Sequence, residues 1–144
     1  MNDLIALLSQ KNFPEGDYKK FYLLGDSCFE SLLEKVKAGS FNSVEKCNAI
    51  KVLGVMCIQA CPDKRPIHYE LILDLLNDSD IDVRSLASRI VIGKHREVHD
   101  FPEVYNYPVL EYGKLKEKLH EAIRKGVNPD SEDFIQEYLD DSEI

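Results

Sequence analysis

Leu75-Leu76-Asn77-Asp78-Ser79-Asp80-Ile81-Asp82-Val83-Arg84-Ser85-Leu86-Ala87-Ser88-Arg89-Ile90-Val91-Ile92-Gly93 reads as the end of one helix, a tight polar turn, and a second helix with a small residue on its packing face. Ser79 to Ile81 form the turn. Asp82 starts the second helix, where an acid satisfies free N–H groups and complements the helix dipole. This is the grammar of a helical hairpin, and stacks of such hairpins usually bind other molecules rather than convert them.

Upstream, the same reading continues. Residues 3–10 predict a short helix with Leu4, Leu7 and Leu8 on one face, followed by a turn over 12–16. Tyr18 to Leu24 predict another, with Tyr18, Phe21 and Tyr22 at i, i+3, i+4 and Gly25 as its stop. Asp26 or Ser27 caps the next, whose apolar positions are Phe29, Leu32, Leu33 and Val36, and Gly39 ends it. Ser43 is the expected N-cap of the longest helix, roughly 44–60. Its apolar residues cover more than one face, which predicts a central helix buried on two sides. Cys61 to Pro66 break it, and Ile67 to Leu76 form the next, with Leu71, Ile72, Leu75 and Leu76 inward. A shift of 39 residues takes Val44 onto Val83, Gly54 onto Gly93, and Leu32, Leu33 and Val36 onto Leu71, Ile72 and Leu75.

Downstream of Gly93 the pattern changes. Residues 95–108 contain two prolines and three aromatics without a clear helical period, so a long loop is expected over about 96–110. Long ordered loops in compact domains are often functional. A helix resumes near Leu110 or Tyr112, with Leu115, Leu119, Ala122 and Ile123 inward and Gly126 as stop. Asn128-Pro129 then starts the last helix, about 129–140, which packs through Phe134, Ile135, Tyr138 and Leu139. This pair would be an atypical terminal hairpin that caps the stack.

Asp82-Val83-Arg84 followed by Ala87, after the helix end Leu75-Leu76-Asn77-Asp78, resembles the HEAT repeat. The resemblance covers about residues 28–93. It implies an all-α solenoid of about three helical hairpins with short N-terminal helices, in a single domain over 1–144. It also implies a ladder between repeats in which Asp82 and Arg84 are the matching residues; Ser43 and Glu45 stand at the equivalent offsets of the preceding repeat. By size, acidity and helical class, the chain is also similar to bacterial immunity proteins. That similarity implies a cognate partner, a cationic toxin domain such as a nuclease, blocked by occlusion of its active site.

Charge sharpens this expectation. The 144 residues are 44% hydrophobic and 31% charged, with a net charge of −8. From Gly126 to Ile144 there are seven acids and no Lys or Arg. A field of one sign repels nucleic acid and attracts cationic surfaces, so no direct nucleic-acid binding is expected. The first residues carry an acid, lack a basic stretch and have too short an apolar run for a signal peptide or a membrane span. A soluble cytoplasmic protein without membrane association is the expectation. Cys28, Cys47, Cys57 and Cys61 are then expected as reduced thiols, three of them in one helical region and core-facing.

Motifs for chemistry are weak. His95 and His99 share a helical face, but Arg96 and Val98 occupy the positions where zinc-protease motifs need Glu. A polar helix end with His complementing the dipole is the simpler reading. Asp78-Ser79-Asp80-Ile81-Asp82 opens like a calcium loop, yet Val83 and Arg89 stand where such a loop needs Gly and Glu. Cys57 and Cys61 lack a completing ligand set for zinc. No phosphate loop or nucleophile elbow occurs. No catalytic residue, metal or cofactor is expected. The candidate partner-binding residues are Asp100, Glu103, Tyr105, Tyr107, Glu111 and Tyr112 around the loop, with Asp133, Glu137, Asp140 and Asp141 from the last helix. Tyrosine suits an interface because it buries much area at modest entropy cost. The alternative function is a helical-repeat adaptor or scaffold. An enzyme such as a base-excision glycosylase would need a basic DNA face.

Overall fold

In the computed structural model, which describes residues 2–141, eight α-helices carry the chain and no strand occurs among those residues. They are α1 (Asn2–Ala6), continued by a 3-10 turn (Leu7–Ser9), α2 (Glu15–Tyr22), α3 (Asp26–Lys37), α4 (Ser43–Gln59), α5 (Arg65–Leu75), α6 (Ile81–Asp100), α7 (Tyr112–Lys125) and α8 (Pro129–Leu139). A second 3-10 turn, Pro62–Lys64, precedes α5. The chain is all-α, as its periodicity predicts. It divides into two compact units, one ending at His68 and one beginning at Tyr69, so the division falls within α5.

In the first unit α4 is the centre. It buries Asn48, Ala49, Ile50, Val52, Leu53, Met56 and Cys57, which cover more than one face. The turn after α1, together with α2 and α3, packs against it. The Asn48 amide donates to the carbonyls of Leu8 at 2.7 Å and Gln10 at 2.8 Å, which ties the N-terminal segment to α4. α3 contributes Phe29, Leu32, Leu33 and Val36 to the core at helical spacing. Gly39, at φ +70°, ends α3, with Ser40 N–H bonded to the Lys35 carbonyl. Only glycine adopts that backbone freely.

Several boundaries differ from the sequence expectation. α2 begins at Glu15 rather than Tyr18. Asn42, not Ser43, caps α4. Its side chain accepts from Glu45 N–H at 2.9 Å while the Glu45 carboxylate accepts from Asn42 N–H at 3.0 Å. This reciprocal box needs two residues between cap and acid, and Asn42, not Ser43, has that spacing to Glu45. Asn42→Ala is expected to cost about 1 kcal/mol of stability, measured by denaturant unfolding. Neither Asp26 nor Ser27 caps α3; Gly25 holds that position without a side-chain bond. The Asp26 carboxylate instead bonds the Cys61 thiol.

The 39-residue offset maps the start of α3 onto the start of α5 and the buried trio Leu32, Leu33 and Val36 onto buried Leu71, Ile72 and Leu75. The two glycines it pairs behave differently. A Cβ on Gly54 would meet the His68 ring at 3.2 Å, so the missing side chain lets His68 lie on α4, with Nε2 3.2 Å from the Ile50 carbonyl. Gly93 has open space around it, and Ser85, Ala87 and Ser88 are the small residues buried on α6.

The second unit packs α6, α7 and α8 against one another. α6 buries Val83, Ala87, Val91 and Ile92, α7 buries Leu115, Leu119 and Ala122, and α8 buries Ile135, Tyr138 and Leu139. The loop expected over about 96–110 starts later: α6 runs to Asp100. Gly93 keeps helical backbone, because its φ is not among the positive ones. The helix stops where Pro102 restricts the preceding residue, and Phe101 adopts φ −132°, ψ 59°.

Candidate functional site

Hydrogen bonds set the order of helix ends in the second unit. At the start of α6, Asp80 is the cap: its carboxylate accepts from Asp82 N–H at 2.8 Å and Val83 N–H at 3.1 Å. Asp82 therefore lies inside the first turn rather than at the cap. Its carboxylate accepts from the Asn128 amide at 2.9 Å. Buried Arg84 donates to three carbonyls: Asp78 at 2.8 Å, Gly126 at 2.9 Å and Lys125 at 3.3 Å. Ser85 Oγ accepts from Asn128 N–H at 2.8 Å. The Asp82 and Arg84 side chains thus bind the connection between α7 and α8, each to an uncharged partner. In the calcium-like stretch, Asp78 accepts a turn bond from Asp80 N–H, Asp80 is the cap, and Asp82 accepts from Asn128.

The opposite end gathers the C-termini of α6 and α8 and the N-terminus of α7. His95 Nδ1 and the Tyr138 hydroxyl share a hydrogen bond of 2.8 Å, both side chains buried. His95 is therefore a core residue rather than a dipole partner at a helix end. The Tyr112 ring meets Tyr138 edge-on at 5.6 Å, and its hydroxyl donates to the Tyr138 and Leu139 carbonyls at 3.3 Å each. Those carbonyls belong to the last turn of α8, where Asp141 N–H also bonds the Tyr138 carbonyl at 3.2 Å. Arg96 lies over the Tyr138 ring at 5.0 Å, and Arg89 over Phe134 at 4.7 Å.

Burial holds the His95 pKa below its ordinary 6.5, and nearby His99 adds to the effect. Burial first, then the Tyr112 hydroxyl, pushes the Tyr138 phenol up, so it keeps its proton. The unfolded chain takes up a proton at His95 before the folded chain does. Stability from this site is complete above about pH 6.5 and falls as pH drops below it, until the folded-state pKa is passed. The melting temperature is expected to be lower at pH 5.5 than at pH 7.5, and His95→Phe to flatten that difference.

Between α6 and α7 runs the loop 101–111. Its first turn continues the helix: Phe101 N–H bonds the Glu97 carbonyl at 2.9 Å, and the Phe101 carbonyl accepts from Val104 at 3.0 Å and Tyr105 at 2.9 Å. Tyr107 is buried against Tyr69 at 6.1 Å, with the Lys94 ammonium 5.8 Å from its ring. Leu110 N–H donates to the Tyr69 hydroxyl at 3.0 Å. The loop is therefore held down at its far half, and its near half projects Phe101 (57% exposed) and Val104 (61%) between exposed Asp100 and Glu103.

The candidate residues separate accordingly. Asp100, Glu103 and Glu111 are exposed, Tyr105 is half-buried, Tyr107 is buried and Tyr112 spends its hydroxyl on α8. Glu137 and Asp140 are exposed on or beside the last turn of α8, and Asp141 is half-buried beyond it. Asp140 and Asp141 both act on the Tyr112 hydroxyl, which burial, above all, pushes up in pKa. Glu111, Tyr112, Asp140 and Asp141 thus share one end of the unit, and Asp100 is the last residue of α6. Asp133, seven residues before Asp140, lies about 10 Å back along the helix axis. Phe101 and Val104 are absent from the sequence-derived set; their signal was an apolar residue before proline, alternating with acids.

Charge follows the same division. Residues 69–144 hold 18 acids against 9 Lys and Arg, a net of −9, whereas residues 1–68 hold 8 acids against 9, a net of +1. Among the described residues no group of three or more His, Cys, Asp or Glu side chains is arranged to hold a metal ion. His95 turns inward, whereas His99 sits in solvent with Nδ1 3.0 Å from the Asp100 carboxylate. The cysteines are free thiols, three of them buried. Burial and the Asp26 carboxylate push Cys61 up to about 12, so it carries no thiolate at neutral pH. No helix among the described residues is long and apolar enough to cross a membrane. The chain matches no family model, no curated protein and no solved structure.

Proposed function

We propose that this chain is a stoichiometric binding protein of the immunity type, which sits on a basic toxin domain, a nuclease, and occludes its active site. One observation carries the reading: Asp140 and Asp141 act on the Tyr112 hydroxyl, next in sequence to exposed Glu111, in a unit whose net charge is −9. A cleft that holds a phosphodiester is cationic, and an acidic surface competes for it by the same charge. On this reading the paired helices form a HEAT-like stack, the role is occlusion rather than catalysis, and the partner is met in the cytoplasm.

The test is capture on the immobilised chain from its native cell lysate. The expected result is a stoichiometric basic protein whose nuclease activity stops when the chain is added. Glu111→Lys, Asp140→Lys and Asp141→Lys combined should abolish capture. The association rate should fall about tenfold or more between low salt and about 0.5 M. A rate flat across salt contradicts the reading.

A helical-repeat adaptor is the second reading, favoured by exposed Leu23, Leu24 and Ile58 in the first unit. The Asp26–Cys61 bond brings the α2–α3 turn to the C-terminal end of α4, near these residues. Capture that survives the triple charge reversal but fails in Leu23→Ser/Leu24→Ser would favour it.

A further inference from the structure

We infer that the Phe101–Val104 turn is the apolar anchor of the acidic end, and that it enters an apolar cleft bordered by Lys and Arg on a protein partner. This rests on the proposal that the partner is a cationic protein. Phe101 and Val104 stand at i, i+3 and close one hydrogen-bonded turn, the Phe101 carbonyl accepting from Val104 N–H at 3.0 Å. Both are more than half exposed, on a chain whose large apolar side chains are otherwise mostly buried.

The turn is ordered before any partner arrives. Pro102 restricts its backbone, Phe101 N–H and the Phe101 carbonyl are both bonded, and the loop beyond is tethered through Tyr107 and Leu110 to Tyr69. An exposed aromatic on a rigid turn loses little freedom on binding, which is the property of an interface anchor. Its surroundings select the partner's chemistry. Asp100 and Glu103 interleave with the two apolar residues in sequence and are exposed beside them. An apolar cleft rimmed by acids is disfavoured there, as is an anionic lipid surface, whereas Lys or Arg at the rim can pair with both carboxylates.

The experiment uses the full chain and two fluorescent peptides of equal charge: an amphipathic lysine–leucine helix and a lysine–serine peptide. The lysine–leucine peptide should bind at least tenfold tighter. Phe101→Ser/Val104→Ser should remove that advantage with helix content and melting unchanged, since both side chains are exposed. Leu23→Ser/Leu24→Ser should keep it. Asp100→Lys/Glu103→Lys should weaken both peptides. Equal, salt-sensitive binding of the two peptides overturns the anchor and leaves the cationic-partner proposal standing. Failure of both peptides to bind, or binding indifferent to salt, tells against the cationic-partner proposal itself. Retained preference in Phe101→Ser/Val104→Ser, or binding of the native chain to phosphatidylcholine–phosphatidylserine vesicles that this variant loses, overturns the inference.

Discussion

Arg84→Ala is expected to remove about 4 kcal/mol of stability, read from denaturant unfolding. The guanidinium is buried and joins three carbonyls at helix ends: Asp78 before α6, Lys125 at the end of α7, and Gly126 just after it. A hydrogen bond to a charged donor contributes about 1.5–3 kcal/mol, and a buried carbonyl left unpaired costs a further 1–3 kcal/mol or so. The three bonds share one side chain, so their effects overlap rather than add. Arg84→Lys should recover less than half, because an ammonium cannot span three acceptors as a planar fork does. Gly126 is part of the same device. Its φ of +110° suits glycine alone, and that backbone turns its carbonyl and that of Lys125 toward Arg84. A loss below 1 kcal/mol for Arg84→Ala would show that water replaces the guanidinium at this end.

Tyr138→Ala should cost a similar amount, about 4 kcal/mol, for a different reason. The ring is fully buried, with Tyr112 at its edge, Arg96 over its face and His95 on its hydroxyl. Truncation leaves a cavity where α6, α7 and α8 meet. Tyr138→Phe separates the two contributions: it keeps the packing and strands His95 Nδ1, for about 2 kcal/mol. The two aromatic variants should also diverge with pH. Tyr138→Phe keeps His95 buried and hence keeps the acid sensitivity, whereas Tyr138→Ala admits water to the imidazole and reduces it.

Local signals in the sequence were sufficient where one residue's chemistry sets the outcome. Asn128-Pro129 starts α8 and Gly126 ends α7 because a fixed φ and a left-handed φ are properties of proline and glycine alone. Among three nearby acids the cap was not legible: Asp78, Asp80 and Asp82 can each accept backbone N–H bonds, and only three-dimensional spacing selects Asp80. The length of α6 was hidden for the opposite reason. Residues 95–108 lack a clear helical period, but the packing of Ile92 and His95 on the core carries α6 to Asp100, where Pro102 intervenes. His95 has its partner 43 residues away, and no periodicity encodes a pair that distant. The tyrosines show the same limit: their type was legible, but which of Tyr105, Tyr107 and Tyr112 turns inward depends on Tyr69 and on the end of α8. The surface position of most of the acids was legible because exposure is their default. The exposed Phe101 and Val104 were not, because burial is the default for theirs.

The most direct measurement is an amide chemical-shift map of the full chain, titrated with the lysine–leucine peptide at low salt and again at about 0.5 M. The expected map is confined to residues 99–112 and the α8 end around 137–141, largest at Phe101 and Val104, and collapses at high salt. Shifts centred on Leu23, Leu24 and Ile58, or a map that does not change with salt, would contradict the view that the acidic end of the second unit is the binding surface.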